Sequence, residues 1–533
     1  MKKNIKYNVI LKLFAVLFFF TITSCQDDYL DVKQEDSYTL ETAYQNDKLV
    51  ENSTNGLYCN VWFDFYNGPY HLMLEISSGN MTGFDPGSFG SLMHRSTDSN
   101  LLSAWKGLYS VVAQSNAVLI NLPKYVGPNV TPNVTDNALG EAHFMRALAY
   151  FYLVRLYAAV PIIENSYDFF DNYNVPPNTT ASIYTFIEND LIEASKLLKT
   201  KSRTSDYESN ARVSSGSAKA MLAKVYLYQN KFTQSKNLAM EVINSGEFKL
   251  LGGPELSDKS FGDLYSTANN NNEETIAAIQ WVTGGGYSAA NYSNTVYAGS
   301  SSLTAATYNG VYAPSQDLMK TAFEIYELGG VTYEDKRRKE TYMIKGDKYS
   351  YLQSKQGSSY DTSTDANFGA QNSGAGIKKY VVGRSSKYAG DEDPDNHGYG
   401  NNTYLMRYAE VYLILAEAIL AGNTSTSDPE AINAVNVIRK RAGLLGYTTK
   451  LTDLQLLKER RAELAFEGEY WFDLCRFDRS SAVDLILKQN RGTIANSYYV
   501  SSVSSSSFIF PIPAFEVQKN PRLNDAPVPY TKK

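Results

Sequence analysis

Apolar residues recur every three to four positions along much of the chain, which is the period of an amphipathic or buried α-helix. The predicted helices cover residues 42–58, 101–119, 141–157, 183–198, 218–226, 232–243, 408–419 and 454–464. The helix at 141–157 is apolar on nearly every side, with Phe144 and Leu148 on one face. Arg146 and Arg155 exclude it as a membrane span. We therefore expect a mainly α-helical protein in which this helix is central and buried.

Short breaks join several of these helices into hairpins. One break is Gln229-Asn230, and a later hairpin has Asp428 as the N-cap of its second helix, Pro429 in the first turn and Gly443 at the end. Paired helices of about 34 residues per unit are the tetratricopeptide pattern, present here without a clean consensus. The sequence predicts a scaffold of degenerate, tetratricopeptide-like helical hairpins.

Residues 257–402 differ in kind, because they are rich in Asn, Gly, Ser and Tyr. The elements predicted in and just around this part are a helix at 314–328 and short strands at 275–282 and 378–382. An insertion of this length in a helical framework is usually functional or disordered. Its interleaved aromatic residues argue against disorder. We predict a large loop-rich insertion, with a few short β-strands, that the scaffold presents to a ligand.

The chain begins with a segment typical of an export signal. Lys2 and Lys3 precede the uncharged apolar run at 13–20, which is far shorter than the ~20 residues that a membrane-spanning helix needs. Ile22-Thr23-Ser24-Cys25 then has the small residues of a bacterial lipobox. We predict a lipoprotein signal peptide and a lipid anchor at Cys25. The predicted organisation is a signal peptide at 1–24 and one domain at 25–533, with a helical part at 25–256, the loop-rich part at 257–402 and a C-terminal helical part at 403–533.

Composition excludes several classes of function. The 533 residues carry a formal charge of −6 with no long run of Lys or Arg, so we expect no nucleic-acid binding. The four histidines are scattered without metal-ligand spacing, and we expect no zinc, iron or other cofactor. The acidic residues at 391–395 resemble a calcium loop, but Asn396 and Asn402 stand where such a loop needs Gly and Glu, so we favour a solvated turn and leave calcium binding open. Whether Cys59 and Cys475 form a disulfide is left open.

The C-terminal third resembles the successive signatures of the SusD/RagB family. The matching stretches are residues 405–418 (LMRYAEVYLILAEA), 436–443 (NVIRKRAG), 459–468 (ERRAELAFEG) with Trp471-Phe472-Asp473-Leu474 and Arg476, and the closing 510–513 and 520–523. Residues 105–109 and 141–147 are similar to the N-terminal helices of the family, so the resemblance covers essentially the whole chain.

This resemblance implies a mostly helical fold in which four tetratricopeptide-like hairpins support a loop-rich region. It also implies an outer-membrane lipoprotein of Bacteroidota, commonly exposed at the cell surface, that captures a glycan and acts as a lid on a SusC-like TonB-dependent transporter. The chain departs from the family where many members carry Asp or Asp-Glu after the first helices: it has Ser77-Ser78-Gly79-Asn80, and its nearby aromatic residues are Phe84 and Phe89 instead of Trp. The identity of the ligand is therefore left open.

Three carboxylates are the best candidates for catalysis. Glu459, Glu463 and Glu467 follow one another at four-residue spacing and share one helix face. Glycosidase carboxyl groups instead flank an open cleft from opposite sides, at roughly 5 to 9.5 Å. With several arginines nearby, we interpret the three as structural ion-pair partners and predict that the protein is not an enzyme.

Sugar recognition needs exposed flat rings that cover the C–H face of a sugar, beside side chains that bond its hydroxyls. Tyrosine is unusually abundant, at 41 residues against 24 Phe and 4 Trp. The predicted ligand-binding residues lie in two segments and are Phe84, Asp85, Trp281, Tyr287, Tyr292, Tyr297, Tyr308 and Tyr312. A packing role stays open for each tyrosine, and Trp281 fits the core of a short strand equally well. Trp62, Trp105 and Trp471 are assigned to packing.

The sequence thus favours a surface lipoprotein that binds an oligosaccharide or polysaccharide without cleaving it and delivers it to a SusC-like TonB-dependent transporter. Two alternatives remain open at this stage. One is a peptide-binding lid on the same type of transporter, and the other is a repeat scaffold that binds protein partners. We expect the partners to be the transporter, the glycan and, through the lipid anchor, the membrane.

Overall fold

A computed structural model describes residues 39–83, 86–169, 173–285, 288–304, 310–354, 359–370, 374–384 and 399–532. The predicted signal peptide, the lipidation site Cys25 and the acidic residues 391–395 lie outside the described residues. Four of the predicted ligand-binding residues also lie outside them: Phe84, Asp85, Tyr287 and Tyr308.

Nine helices of ten or more residues form the scaffold of the described chain. They are α1 (Ser99–Tyr125), α2 (Pro132–Tyr157), α3 (Thr180–Leu197), α4 (Ser215–Tyr228), α5 (Phe232–Asn244), α6 (Tyr408–Leu420), α7 (Pro429–Arg441), α8 (Asp453–Leu464) and α9 (Arg479–Lys488). The shorter α-helices are Asp47–Ser53, Phe63–Tyr66, Gly87–Gly90, Ser293–Tyr297, Gln316–Thr321, Arg337–Thr341, Tyr470–Arg476 and Ala514–Lys519, and Tyr70–Ile76 is a π-helix. Single 3₁₀ turns lie at Asn55–Tyr58, Asn60–Trp62, Ser166–Phe169, Phe261–Tyr265, Thr267–Asn269, Ser505–Phe508 and Pro521–Asn524.

Local capping explains where several of these helices begin. The predicted N-cap Asp428 accepts a hydrogen bond from the Glu430 backbone N–H at 2.8 Å, directly before Pro429. Thr452 forms a capping box with Gln455 at the start of α8. The sequence therefore specifies these helix starts before any tertiary contact forms.

The long helices stack in chain order. Each of α1 to α4 packs against the helix that follows it, and α6 packs against both α7 and α8. Helix α5 packs against α6 although the whole loop-rich part lies between them in sequence. Helix α2 is almost completely buried from residue 140 to residue 157, with Phe144 and Leu148 at most 1% exposed. The mainly helical fold and the central position of this helix are confirmed.

Twelve short strands pair into six two-stranded sheets within the described residues. The strands are β1 (Met81–Gly83), β2 (Thr275–Ile279), β3 (Tyr312–Pro314), β4 (Ile325–Leu328), β5 (Val331–Glu334), β6 (Tyr342–Ile344), β7 (Lys348–Tyr349), β8 (Tyr360–Asp361), β9 (Ala375–Ile377), β10 (Thr403–Arg407), β11 (Ser425–Thr426) and β12 (Leu451–Thr452). The antiparallel pairs are β1 with β3, β2 with β10, β4 with β5, β6 with β9, β7 with β8 and β11 with β12.

Strands β2 and β10 form a stem at the base of the loop-rich part. β2 lies near the start of this part and β10 directly follows its end and precedes α6; the two strands pair antiparallel from Thr403 opposite Ile279 to Arg407 opposite Thr275. The Ser217 hydroxyl of α4 donates to the Ile276 carbonyl at 2.7 Å, so the stem is tied to the helical stack. The stem therefore brings residues near the two ends of the insertion together beside the helical stack.

Two predicted elements of the loop-rich part are wrong in extent. The helix expected at 314–328 spans only Gln316–Thr321, and β4 follows it, because Gly329 and Gly330, both at positive φ, turn the chain back into β5. The β-like run at 378–382 is a turn that follows β9. In both cases pairing with a distant or adjacent segment overrides the local pattern.

Buried asparagine side chains hold much of the loop-rich part. The Asn401 amide donates to the carbonyls of Tyr380 at 3.0 Å and Tyr265 at 3.3 Å, and its side-chain oxygen accepts from the Asn294 amide at 2.7 Å. The Asn291 amide donates to the Asn401 carbonyl at 2.6 Å. These side-chain amides form hydrogen bonds with backbone groups that have no partner in a regular helix or sheet.

A buried ion-pair network joins the loop-rich part to α8. Arg407, with its side chain fully buried, donates to Glu463 at 2.9 Å, to Glu467 at 2.8 Å and to Glu274 at 2.6 Å. Arg337 donates to Glu463 at 3.1 Å. The pKa of the Glu463 carboxyl is lowered, because the attraction of Arg441, Arg407 and Arg337 outweighs the burial that opposes its ionisation.

The core also contains the tryptophans assigned to packing. Trp62 and Trp471 are fully buried and Trp105 is 6% exposed, so that assignment is confirmed. None of the helices in the described part of the chain is long and apolar enough to cross a membrane.

Candidate functional site

The two segments predicted to bind a ligand meet at the β1–β3 pair. Gly83 at the end of β1 lies opposite Tyr312 at the start of β3. The Tyr312 ring packs so closely that a Cβ on Gly83 would lie 3.2 Å from it. The chain runs from Gly83 towards residues 84–85 and reaches Tyr312 from residues 305–309, which are not described. The structure thus joins the two segments at paired residues, with the Tyr312 ring half-buried between them.

His71 connects Tyr312 to Tyr297. The His71 ring centroid lies 5.3 Å from that of Tyr312 and 5.2 Å from that of Tyr297. The Tyr297 hydroxyl and His71 Nδ1 share a hydrogen bond of 2.9 Å. Burial lowers the pKa of His71 to about 3, so this imidazole is neutral and links the two tyrosine rings without carrying a charge.

Glu75 lies in the π-helix Tyr70–Ile76, which also contains His71, and it supports the residues directly before β1. Its carboxylate accepts from the Gly468 backbone N–H at 2.5 Å and from the Asn80 side-chain amide at 3.2 Å. Complete burial raises the pKa of Glu75 to about 7, because the desolvation of the charged form outweighs these hydrogen bonds. Asn80, which stands in the stretch where the chain departs from the family pattern, is thus a buried structural residue.

Two of the predicted rings do not offer a surface to a ligand. Trp281 is 7% exposed, its indole N–H donates to the Thr403 hydroxyl at 2.9 Å, and its ring meets Phe63 edge to face. Tyr297 is fully buried at the contact with His71. The prediction that these two side chains are exposed is wrong, because each buries its ring while its polar atom finds a partner inside.

The other predicted side chains differ in their placement. Tyr292 is half-buried and directly precedes the helix Ser293–Tyr297. The Val282 backbone N–H donates to the Ala289 carbonyl at 2.8 Å. Of the eight predicted residues, the described structure brings Tyr297 and Tyr312 together and leaves Trp281 in the core beside β10.

Sequence reasoning did not select a pair of exposed aromatic residues near this site. Tyr498 is 37% exposed and Tyr499 is 54% exposed, in a loop that contacts the residues directly after β3. The available signal was local: consecutive tyrosines in a short stretch of Asn, Ser and Gly between α9 and the closing segment.

The carboxylates considered for catalysis are internal ion-pair partners. Glu459 accepts from Arg337 at 2.7 Å and from Arg439 at 3.0 Å, and the Glu467 carboxylate also binds Lys379 at 2.8 Å. All three glutamates are at most 6% exposed. Their interpretation as structural ion pairs is confirmed.

Metal and thiol chemistry find little support in the residues that the structure covers. Among them, no three His, Cys, Asp or Glu side chains are grouped to hold a metal ion. Cys59 and Cys475 are free thiols, which answers the question of their pairing. Burial raises the pKa of Cys475 to about 12, so this thiol stays protonated.

Comparison with known families assigns nearly the whole chain. Residues 263–528 match the model of the SusD family, and residues 28–227 match a model described as starch-binding and associating with the outer membrane. The chain belongs to the SusD/RagB family. Its members are binding proteins that do not catalyse a reaction, which confirms the prediction that the protein is not an enzyme.

Individual SusD-like proteins match over most of their length. A SusD-like protein of Bacteroides ovatus is 28% identical, over 95% of this chain and 96% of that protein. The starch-binding protein SusD of Bacteroides thetaiotaomicron is 24% identical over 71% of this chain and 70% of its own. A crystal structure with xylogluco-oligosaccharide superposes with a TM-score of 0.77 at 27% identity, covering 91% of this chain and 99% of that one. The SusD-like fold is thereby confirmed.

Proposed function

We propose that this protein is a cell-surface lipoprotein that captures an oligosaccharide or polysaccharide and delivers it to a SusC-like TonB-dependent transporter of the outer membrane. The observation that carries the proposal is the likeness, over almost the full length of both chains, to a crystal structure with xylogluco-oligosaccharide. The lipobox at Cys25 supports the membrane anchor, and the family description supports the association with the outer membrane.

The proposed binding site lies at the β1–β3 pair. Tyr312 supplies a ring, and Phe84, Asp85, Tyr287 and Tyr308 remain proposed ligand contacts, of which Phe84 and Asp85 directly follow β1 in sequence. Aromatic stacking contributes roughly 0.5–1.5 kcal/mol per pair, so a few rings give a modest affinity. Modest affinity suits a receptor that must release its cargo, and tethering beside the transporter raises the local concentration of the glycan.

Isothermal titration of the mature protein against a glycan panel that includes xylogluco-oligosaccharide and soluble starch tests this proposal. We expect saturable heat with at least one glycan and a strong loss of that heat in the Tyr312→Leu variant. Absence of heat with every glycan, together with saturable binding of peptides, would reject the carbohydrate function in favour of a peptide-binding lid.

Partner identity needs a separate measurement. Affinity purification of the lipidated protein from outer membranes, followed by mass spectrometry, should recover a TonB-dependent transporter. A Cys25→Ala variant, which cannot be lipidated, is the control for anchoring. Recovery of only soluble proteins would support a repeat scaffold instead.

A further inference from the structure

We propose that the loop at 490–499 forms a second wall of the glycan site and that Tyr498 and Tyr499 contact the bound sugar. This inference rests on the proposed function and adds a binding element that lies about two hundred residues beyond the segments selected from the sequence. Three observations on this loop support it: its attachment to the residues that flank β1 and β3, its fixed conformation and its surface chemistry.

The loop is attached to the residues that flank both strands of the site. The Gln316 backbone N–H donates to the Gly492 carbonyl at 3.0 Å, and the Asp317 N–H donates to the Asn490 carbonyl at 2.8 Å, directly after β3. On the β1 side, the buried Arg491 guanidinium donates to the Ser77 carbonyl at 2.9 Å and to the Gly90 carbonyl at 3.3 Å. Ser77 and Gly90 flank β1 in sequence, so one arginine fixes the loop against both ends of the segment that carries this strand.

Internal hydrogen bonds fix the conformation of the loop. The Arg491 backbone N–H donates to the Tyr498 carbonyl at 2.8 Å, and the Tyr498 N–H donates to the Asn490 side chain at 3.1 Å. The Asn490 amide also donates to the Ser497 hydroxyl at 2.9 Å, and Val500 is buried directly after the pair of tyrosines. The two rings are therefore presented by a preorganised loop, which lowers the entropic cost of binding.

The exposed part of the loop has the chemistry of a recognition surface. Residues 494–499 are Ile-Ala-Asn-Ser-Tyr-Tyr, and all six are exposed. Tyrosine gives a large amphipathic contact at low conformational cost, and Ser and Asn provide adaptable hydrogen bonds, as in antibody binding loops. Rings that cover C–H faces beside hydroxyl and amide groups match the alternating apolar and polar surface of a neutral oligosaccharide.

Titration calorimetry with xylogluco-oligosaccharide, or with the member of the glycan panel that wild type binds best, tests the proposal. We expect the Tyr498→Ala/Tyr499→Ala double variant to weaken binding roughly 10-fold or more, since two stacking contacts are lost. Tyr167→Ala is the matched control, because Tyr167 is 72% exposed on a different segment and should leave the affinity unchanged. Melting temperatures of all three proteins should agree, because the replaced rings are on the surface.

A second measurement uses the wild-type protein. Nitration by tetranitromethane, read by peptide mass spectrometry, should modify Tyr498, Tyr499 and Tyr167, and saturating oligosaccharide should protect only the first two. Unchanged affinity of the double variant, with Tyr312→Leu still impaired, would overturn this inference and leave the proposed function intact. Wild type that binds no glycan would overturn both. A double variant that binds the glycan normally but no longer co-purifies with the transporter would assign the loop to protein contact and also overturn the inference.

Discussion

The helical stack and the loop-rich part satisfy the hydrogen-bonding groups of their backbones in different ways. In the stack, helices satisfy their own backbone groups and bury apolar faces such as that of α2 against their neighbours. In the loop-rich part, strands are two to five residues long, and buried amides such as Asn401 and ions such as Arg407 complete the hydrogen bonding. Irregular structure can thus be held firmly, but each of its polar groups depends on a particular partner.

The largest effect should come from breaking the ion-pair network. Arg407→Met leaves the carboxylates of Glu274, Glu463 and Glu467 buried with fewer counter-charges, and we expect a loss of about 3–5 kcal/mol in the free energy of unfolding. Urea denaturation followed by circular dichroism measures it. Lys196→Ala, which removes an exposed pair with Glu193, is the control and should cost at most about 1 kcal/mol. Equal effects of the two variants would contradict the distinction drawn between buried and surface ions.

The pH dependence of stability should reveal Glu75 beside β1. Its pKa is about 7 in the folded protein against an ordinary value of 4.5, so between these pH values the folded state keeps a proton that the unfolded state has released. Stability from this group therefore falls as pH rises from 4.5 to 7. Glu75→Gln should remove that fall. The difference in free energy of unfolding between the variant and the wild type should therefore change by up to roughly 3 kcal/mol between pH 4.5 and pH 7. Denaturant titrations at pH 4.5 and pH 7 measure it, and a constant difference would show that Glu75 titrates normally.

A buried amide should matter more than a helix cap. Asn401→Ala removes the donor to the Tyr380 and Tyr265 carbonyls and the acceptor for Asn294, and we expect a loss of about 2 kcal/mol. The measurement is thermal unfolding. Asn496→Ala, which replaces an exposed asparagine, is the comparison, and its free energy of unfolding should stay within ~0.5 kcal/mol of wild type.

The smallest effect should come from the scaffold. Asp428→Ala removes the side-chain oxygen that accepts from the Glu430 N–H, and we expect a loss of about 1 kcal/mol. Asp428→Asn keeps a capping oxygen and should restore most of it in the same thermal unfolding assay. A loss in Asp428→Ala that exceeds that of Asn401→Ala would reverse the ranking of the two regions.

The sequence predicted the stack well because its signals are local. The helix expected at 408–419 is Tyr408–Leu420, and the cap at Asp428 is confirmed. The loop-rich part has no comparable local signal. Its strand β2 pairs with β10 across more than a hundred residues, and β4 forms a strand because the turn at Gly329-Gly330 brings β5 beside it. Burial of Trp281 and Tyr297 likewise depends on partners distant in sequence, Thr403 and His71.

The same limit explains the incomplete prediction of the candidate site. The segments around Phe84 and Tyr312 were selected for their aromatic residues, and the structure pairs Gly83 with Tyr312. The loop with Tyr498 is not evident from the sequence because it is joined to the residues around β1 by Gln489 and Arg491, through contacts that no periodicity indicates. Which exposed rings share a surface is a property of the tertiary fold.

The β2–β10 stem has an evolutionary consequence. Helix α5 contacts α6 directly, and the stem pairs β2 with β10. The residues between these two strands therefore form an insert on a continuous helical scaffold. Exchange of the residues between β2 and β10 would change the part of the proposed site that β3 carries, while β1 and the loop at 490–499 would stay in place with the helices. Engineering a new specificity by a transplant at the stem would therefore also require matching changes after β1 and in the loop at 490–499.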